Sequence, residues 1–228
     1  MTSTIVLRDV SLSQLDQLIE LACRIWVDDP AFSMLFTKHH DDRIENVRVI
    51  WRLILQYEMA KAGTVITVAR DVSEAGEGQY VGLGIWQRHG KSTKAKSWQA
   101  NSLRKRLMML QVALEYWYRL LVGSLPASKV KELMGQLNKA QNLYPTERWR
   151  LCWLGVSPDA RGRGFGRALI QWGLHRSEEE VVPTVLEASN AGAILYRKYG
   201  FREIGRQTFD DGKHTQPIML RDVVGLKP

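Results

Sequence analysis

The sequence predicts an α/β (α+β) fold: a mixed central sheet of about six to seven strands flanked by helices, with a helical hairpin inserted between strands. Three observations carry this. The last third alternates strand, helix, strand, helix, strand, the order of a layered sheet. The first half contains short β-branched runs bounded by turn residues. Between them, residues 91–146 show helical periodicity and no convincing strand. With 228 residues, 45% apolar and 25% charged, the composition is that of a globular chain and excludes a disordered or collagen-like one. The length is enough to bury a proper core, and residues 1–228 are expected to form one domain.

Ile5 to Val10 reads as a strand. A helix follows, with Ser13 and Asp16 spaced as a capping box and Leu15, Leu18, Ala22 and Ile25 at helical spacing. Asp28-Asp29-Pro30 stops it, because proline biases its predecessor away from helical angles. A second helix fits Asp42 to about Ala62, with Ile44, Val47, Trp51, Ile54 and Tyr57 as its apolar stripe and Gly63 as the C-terminal cap. Thr64 to Arg70 and Gln79 to Gln87 are strands, separated by turn chemistry. Gly82 and Gly84 mark a bulge or a close backbone approach in the second.

Within residues 91–146, Leu103, Leu107, Leu110, Leu114, Trp117 and Leu121 follow helical spacing, and a second helical segment runs from Pro126 to about Leu143. This hairpin is expected to cover core rather than to bind a partner. Then Arg148 to Val156 is a strand, Gly164 to Arg176 a helix, Pro183 to Ala188 a strand and Ala191 to Tyr199 a short helix. Phe201 to Thr208 and His214 to Leu220 are strands joined by Asp210-Asp211-Gly212. There is no internal repeat.

Net charge is +8, and from Lys91 to Arg150 there are 12 basic and 3 acidic residues. The excess is spread along helical patterns, so it reads as solvated faces, with an anionic partner as the alternative. No basic motif interleaved with aromatics is present, which argues against nucleic acid. Cys23 and Cys152 are the two cysteines; they lack metal-site spacing and cannot build a disulfide framework. No stretch approaches the roughly 20 apolar residues of a membrane span, and the start has no secretory pattern. A reducing, cytoplasmic location is expected, with no membrane partner and no metal.

The chemistry lies in Leu154 to Leu169, LGVSPDARGRGFGRAL. A strand ends at Val156, a Ser157-Pro158-Asp159 turn follows, and Arg161, Gly162, Gly164 and Gly166 stand at the mouth of a helix. The first amides of a helix have no internal partners and carry the positive end of its dipole. Glycines admit a bulky anion to that backbone, which makes a pyrophosphate cradle. Arg161, Arg163 and Arg167 add charge around it. Neither the phosphate-binding loop of nucleotide hydrolases nor the G-x-G-x-x-G dinucleotide fingerprint fits.

The run V-S-P-D-A-R-G-R-G-F-G-R-A-L resembles the acyl-CoA-binding motif of the Gcn5-related N-acetyltransferase (GNAT) superfamily, [RQ]-x-x-G-x-[GA], through Arg161, Gly164 and Gly166. Leu186 to Phe201, L-E-A-S-N-A-G-A-I-L-Y-R-K-Y-G-F, is similar to the family's later strand and helix. The specific resemblance covers residues 148–208, the expected acyl-CoA-binding core; the 91–146 insertion exceeds the family's usual connection.

The resemblance implies that the strand before the motif splays from its neighbour. Leu154, Gly155 and Val156 would then pair with the pantetheine arm, and the backbone of Arg161, Gly162, Arg163, Gly164, Phe165, Gly166 and Arg167 would hold the pyrophosphate. Asn190 would contact the arm or cap its helix. Tyr196 matches the family's general acid, which protonates the leaving thiolate, and the Val156 amide would stabilise the oxyanion. Glu187, on the strand flanking the cleft, is the candidate base. Asp28, Asp29 and Trp153 are candidate acceptor-side residues, with Trp26 and Trp86 as further pocket walls.

The implied function is transfer of an acetyl group from acetyl-CoA to a primary amine of a small molecule, by direct attack in a ternary complex. The pattern from Trp153 to Phe201 looks closest to GNAT proteins of detoxification. A protein or peptide N-acetyltransferase is the alternative, and a non-catalytic acyl-CoA-binding module a third. The chain is expected to be a monomer or a homodimer.

Overall fold

A computed structural model describes residues 4–8, 11–29, 43–72, 78–123, 135, 140–209 and 214–223. The strands are β1 (Thr4–Arg8), β2 (Thr64–Asp71), β3 (Gln79–His89), β4 (Arg148–Val156), β5 (Thr184–Glu187), β6 (Arg202–Phe209) and β7 (His214–Arg221). The α-helices are α1 (Leu15–Trp26), α2 (Arg43–Ala60), α3 (Thr93–Trp98), α4 (Leu103–Leu121), α5 (Phe165–Glu180) and α6 (Asn190–Lys198). One seven-stranded sheet runs β1-β2-β3-β4-β5-β7-β6. Every neighbouring pair is antiparallel except β4 and β5, which are parallel. The mixed, helix-flanked sheet expected from the sequence is what forms.

Helices α1 and α2 cover one face, where Leu18, Leu21, Ala22, Trp51 and Leu55 meet Ile66, Val68, Leu83 and Ile85. Helices α5 and α6 cover the other, where Ile170, Leu174, Ala193 and Tyr196 meet Trp86, Trp149, Leu151 and Leu186. Contact on that second face is close: a Cβ on Gly173 would lie 2.2 Å from the Trp86 ring. Arg88 is 1% exposed, and it bonds Glu180 at 2.7 Å and Glu147 at 2.9 Å. Glu180 also accepts from Trp98 and Trp149. A buried charge needs this degree of pairing to be tolerated, and the cluster pins the end of α5 to β3, β4 and α3.

Local details depart from the sequence reading. The first helix is entered through a 3₁₀ turn, Leu12–Gln14, whose Gln14 carboxamide accepts the Ser11 amide at 2.9 Å. Asp16, expected to complete a capping box with Ser13, instead pairs with Arg52 at 3.0 Å. On α2, Val47 and Trp51 are buried as expected, but Ile44 and Tyr57 are exposed and Ile50 and Leu55 take the core positions. Gly84 is a close approach, since a Cβ there would sit 2.7 Å from Thr67 Oγ1. Gly82 lies beside a bulge opposite Ala69 and Arg70.

The insertion is the main correction. Its first limb is helical, but the stripe Leu103, Leu107, Leu110, Leu114, Trp117 and Leu121 is exposed. The opposite side of α4, centred on buried Val112, packs toward α2. Periodicity identifies an apolar face without saying which way it turns. The second limb falls mostly outside the described residues, as does the turn Asp210-Asp211-Gly212. Its end does cover core: Ala140 and Tyr144 are buried against Val185, Ile218 and Leu220.

Candidate active site

The site begins with a mismatch in strand lengths. β4 pairs with β3 along its whole length. Among the described residues it pairs with β5 only at Trp149, Arg150 and Leu151. Beyond Leu151 the two strands part, and β5 continues toward β7 through Ala188 N–H to Pro217 C=O at 2.9 Å. Cys152 to Val156 therefore present one backbone edge without a neighbouring strand. Leu154, Gly155 and Val156 lie on this edge, as the resemblance implied.

A bulge sits where the strands part. Ile85 faces Trp153 and Trp86 faces Leu151, so Cys152 has no cross-strand counterpart. One extra residue reverses the alternation of side chains. Trp149 and Leu151 face α5, yet Leu154 and Val156 face it too. Cys152 and Trp153 are turned to the α1–α2 face together.

On the α5 face the loop fits an extended anion. Gly162 and Gly164 have φ of +77° and +92°, the left-handed region that suits glycine. A Cβ on either meets nothing within 4 Å, so the loop's outer side is open. Gly164 is the N-cap of α5 and leaves that helix's first amides facing the opening. Arg161 and Arg167 are exposed beside them. Arg161 bonds the Val156 carbonyl at 3.3 Å. Arg163 is tied to Asp71 at 2.6 Å and lies over the Phe165 ring. These two arginines therefore fix the loop as well as charging it. A diphosphate on the α5 amides with its arm along β4 is a fit this backbone allows.

Asn190 has a different position from the one an N-cap would require. Ser189 caps α6, accepting from the Gly192 amide at 3.0 Å. Asn190 is the first helical residue and exposed, which leaves its carboxamide available to the arm. Tyr196 is buried in the α5–α6 core, edge-on to Phe201. Burial pushes its pKa up, so the phenol is protonated at neutral pH.

The α1–α2 face differs. Glu187 is bound by Arg150 at 2.8 Å, with side-chain exposures of 9% and 11%. The guanidiniums of Arg148 and Arg150 lie over the Tyr144 ring. Burial and the Glu187 carboxylate hold the Tyr144 phenol protonated. Next to this pair, Glu58 accepts from Gln87 at 2.6 Å and from Thr64 at 3.2 Å. Gln87 in turn contacts Lys61 at 3.0 Å and His89 at 3.1 Å. Burial, then Arg148, Lys61, Arg150 and Arg88, lowers the His89 pKa to about 3, so this imidazole is neutral. Burial pushes the Cys152 thiol up to about 12, with Glu58 and Glu187 adding to the effect against Arg150.

Sequence reasoning singled out Glu187 but missed Arg150, Tyr144, Glu58, Gln87 and Lys61. One signal was there. Arg148 and Arg150 alternate with Trp149 and Leu151, which puts two cations on one face of an otherwise apolar strand, where they need an anionic partner. Trp153 lies edge-on to Trp51 at 4.9 Å and Trp26 at 6.0 Å. Trp86 lies on the opposite face, in the α5 core. Asp28 is exposed and Asp29 half-buried at the end of α1, two and three residues past Trp26. Among the described residues no cluster of three or more His, Cys, Asp or Glu is placed to hold a metal. No described helix is long and apolar enough to cross a membrane.

A parted pair of parallel strands, a bulge at the fork and a glycine–arginine turn opening a helix form the arrangement that the acyl-CoA-binding resemblance implied. Residues 130–203 match the model of the acetyltransferase (GNAT) domain. The likeness to the GNAT family rests on this segment. It is 33% identical over 72 residues to the peptidyl-lysine N-acetyltransferase YjaB of Escherichia coli (strain K12), covering 32% of this chain and 48% of that one. It is 43% identical over 44 residues to the protein named "Probable acyltransferase SID5" of Ajellomyces capsulatus, covering 19% and 32% respectively. The matched segments thus span half or less of these curated relatives. Across whole chains it is similar in fold to the structure of histone acetyltransferase HPA2 and related acetyltransferase from Corynebacterium glutamicum. There the TM-score is 0.64, with 21% identity and 99% of each chain covered.

Proposed function

We propose that this protein is an acetyl-CoA-dependent N-acetyltransferase acting on a primary amine of a small molecule, by direct transfer in a ternary complex. The observation that carries the reading is the free edge of Cys152 to Val156 leading into the open Gly162–Gly164 turn. Acetyl-CoA supplies the activated thioester. The chain supplies everything around it. The α5 amides and Arg161 and Arg167 take the diphosphate charge, the β4 edge and Asn190 hold the arm, and a β4 amide donates to the oxygen that gains charge.

The proton inventory follows the two faces. Tyr196, kept protonated by burial, is the donor to the leaving sulfur. Glu187, paired with Arg150 at 2.8 Å, is the acceptor for the amine's proton, directly or through a water. Cys152 is too weak an acid to present a thiolate, which favours direct attack over an acyl-cysteine. Asp28, Asp29 and Trp153 lie toward the amine side. Tyr144, folded over Arg150, walls the acceptor face beside Glu187, an arrangement suited to a compact acceptor. Acylation of peptidyl lysine is the second reading, favoured by the similarity to YjaB.

Thiol release from acetyl-CoA over a panel of small amines and lysine peptides tests both. Turnover with small amines is expected. Turnover with peptides alone would replace the acceptor assignment, and no turnover with either would remove the enzyme reading.

A further inference from the structure

We propose that the outward side of α4 joins two copies of this chain as an antiparallel helix pair about a two-fold axis. Leu103, Leu107, Leu110, Leu114, Trp117 and Leu121 are between 53% and 84% exposed. The inward side of the same helix is mixed, with Val112, Tyr116 and Leu120 packed toward the core beside charged residues. There Lys105, Glu115 and Arg119 are half-buried, and Arg119 bonds Glu115 at 2.7 Å. An apolar helix face this continuous on a folded chain marks an interaction surface.

The spacing identifies the occupant. The six residues are separated by four, three, four, three and four positions, which is the seam of a two-stranded coil. That series reads the same in both directions. A two-fold rotation at the level of Val112 therefore sets Leu103 against the partner's Leu121, Leu107 against the partner's Trp117 and Leu110 against the partner's Leu114. Such self-complementarity is what a closed two-fold interface requires. The ends also match. Leu121 is the most exposed large apolar side chain among the described residues. In this register it enters a shallow groove of about 450 Å³ between Leu12 and Leu103, Leu107 and Met108 of the other copy.

Charge sets the direction. Arg104, Lys105 and Arg106 all lie in the first turn of α4. Antiparallel pairing holds the two basic clusters roughly 21 Å apart at 1.5 Å per residue, beyond the Debye length of about 8 Å. Parallel pairing would stack them. A lipid surface is the less suitable occupant, because helices that lie on bilayers carry cations along their whole polar margin, and here the first turn holds all the helix's basic residues except Arg119, which is paired with Glu115.

Sedimentation and light scattering of the full chain at micromolar concentration test the proposal. A dimer is expected. Leu114→Glu, at the centre of the seam, should raise the dimer Kd by roughly a hundredfold while leaving the circular dichroism spectrum and melting profile intact, since the site is exposed. A mixture of Leu103→Cys and Leu121→Cys chains should form the mixed disulfide, and Leu103→Cys alone should not link to itself. A wild-type monomer, with or without binding to anionic vesicles, overturns the proposal. A dimer indifferent to Leu114→Glu overturns this surface, and self-linked Leu103→Cys overturns the antiparallel direction.

Discussion

The two faces of β4 are built on opposite plans. The α5 face is dry beneath and open above: Trp86, Trp149 and Leu151 pack against α5, while glycines leave the turn beyond Val156 unobstructed. The α1–α2 face carries ionised groups in its interior, with Arg150 and Glu187 paired beside Glu58, Gln87 and Lys61. Under the proposed function, the difference matches what each side would hold. A diphosphate is bound by backbone and needs only room and unpaired amides. A neutral nucleophilic amine needs a carboxylate kept ionised, and burying one requires a partner.

The sharpest way to break this contrast is at the ion pair. Glu187→Gln leaves Arg150 buried without its carboxylate, at a cost of about 3–5 kcal/mol, and removes the proposed base. Denaturant unfolding should show the loss, and turnover should fall even where the protein remains folded. Arg150→Met together with Glu187→Met should recover most of the stability and none of the activity. Recovery of activity in the double variant would remove Glu187 from the mechanism.

The glycines sharpen it next. Gly155 faces α1, where a Cβ would lie 2.3 Å from Ile25 and 2.7 Å from Trp26. Gly155→Ala should therefore destabilise by about 3 kcal/mol through overpacking. Gly164→Val should cost only about 1–2 kcal/mol in left-handed strain. It should weaken coenzyme A binding in calorimetry far more, on the order of a hundredfold. If coenzyme A affinity were unchanged, the loop would not be the cradle.

Tyr196→Phe comes third. Its kcat should drop by roughly 10²-fold, the usual worth of a positioned acid, with coenzyme A affinity nearly unchanged. An equal fall in affinity would make Tyr196 a packing residue.

The smallest expected effect belongs to His89. Its folded pKa of about 3 lies below the ordinary 6.5. Between those values the unfolded chain binds a proton that the folded chain refuses, so stability falls as pH drops from 6.5 toward 3. At pH 5 this group should account for about 1 kcal/mol after allowance for solvent. His89→Gln should flatten the melting temperature between pH 7 and pH 5, and an unchanged slope would contradict the assignment.

Much of the α5 face was legible in the chain. The strand, the turn and the Arg161–Gly164–Gly166 spacing are contiguous or nearly so, and short-range physics governs them. A helix must open with free amides wherever it begins, and a left-handed turn must use glycine. The α1–α2 face was legible only at Glu187, Trp153 and Trp26. Its other members come from α2, β3, β4 and the stretch ending at Tyr144, and no local rule links Glu58 to Gln87 or Arg150 to Glu187.

The sequence by itself determined most of the elements, the glycine–arginine turn and the existence of an apolar stripe on α4, because periodicity and backbone stereochemistry act within a few residues. Tertiary structure alone decided the bulge at Cys152, which reverses the alternation along β4, and the outward turn of the α4 stripe. Both depend on how distant segments compete for the same surface. A pattern along the chain names a face, and packing against other elements decides whether that face is covered.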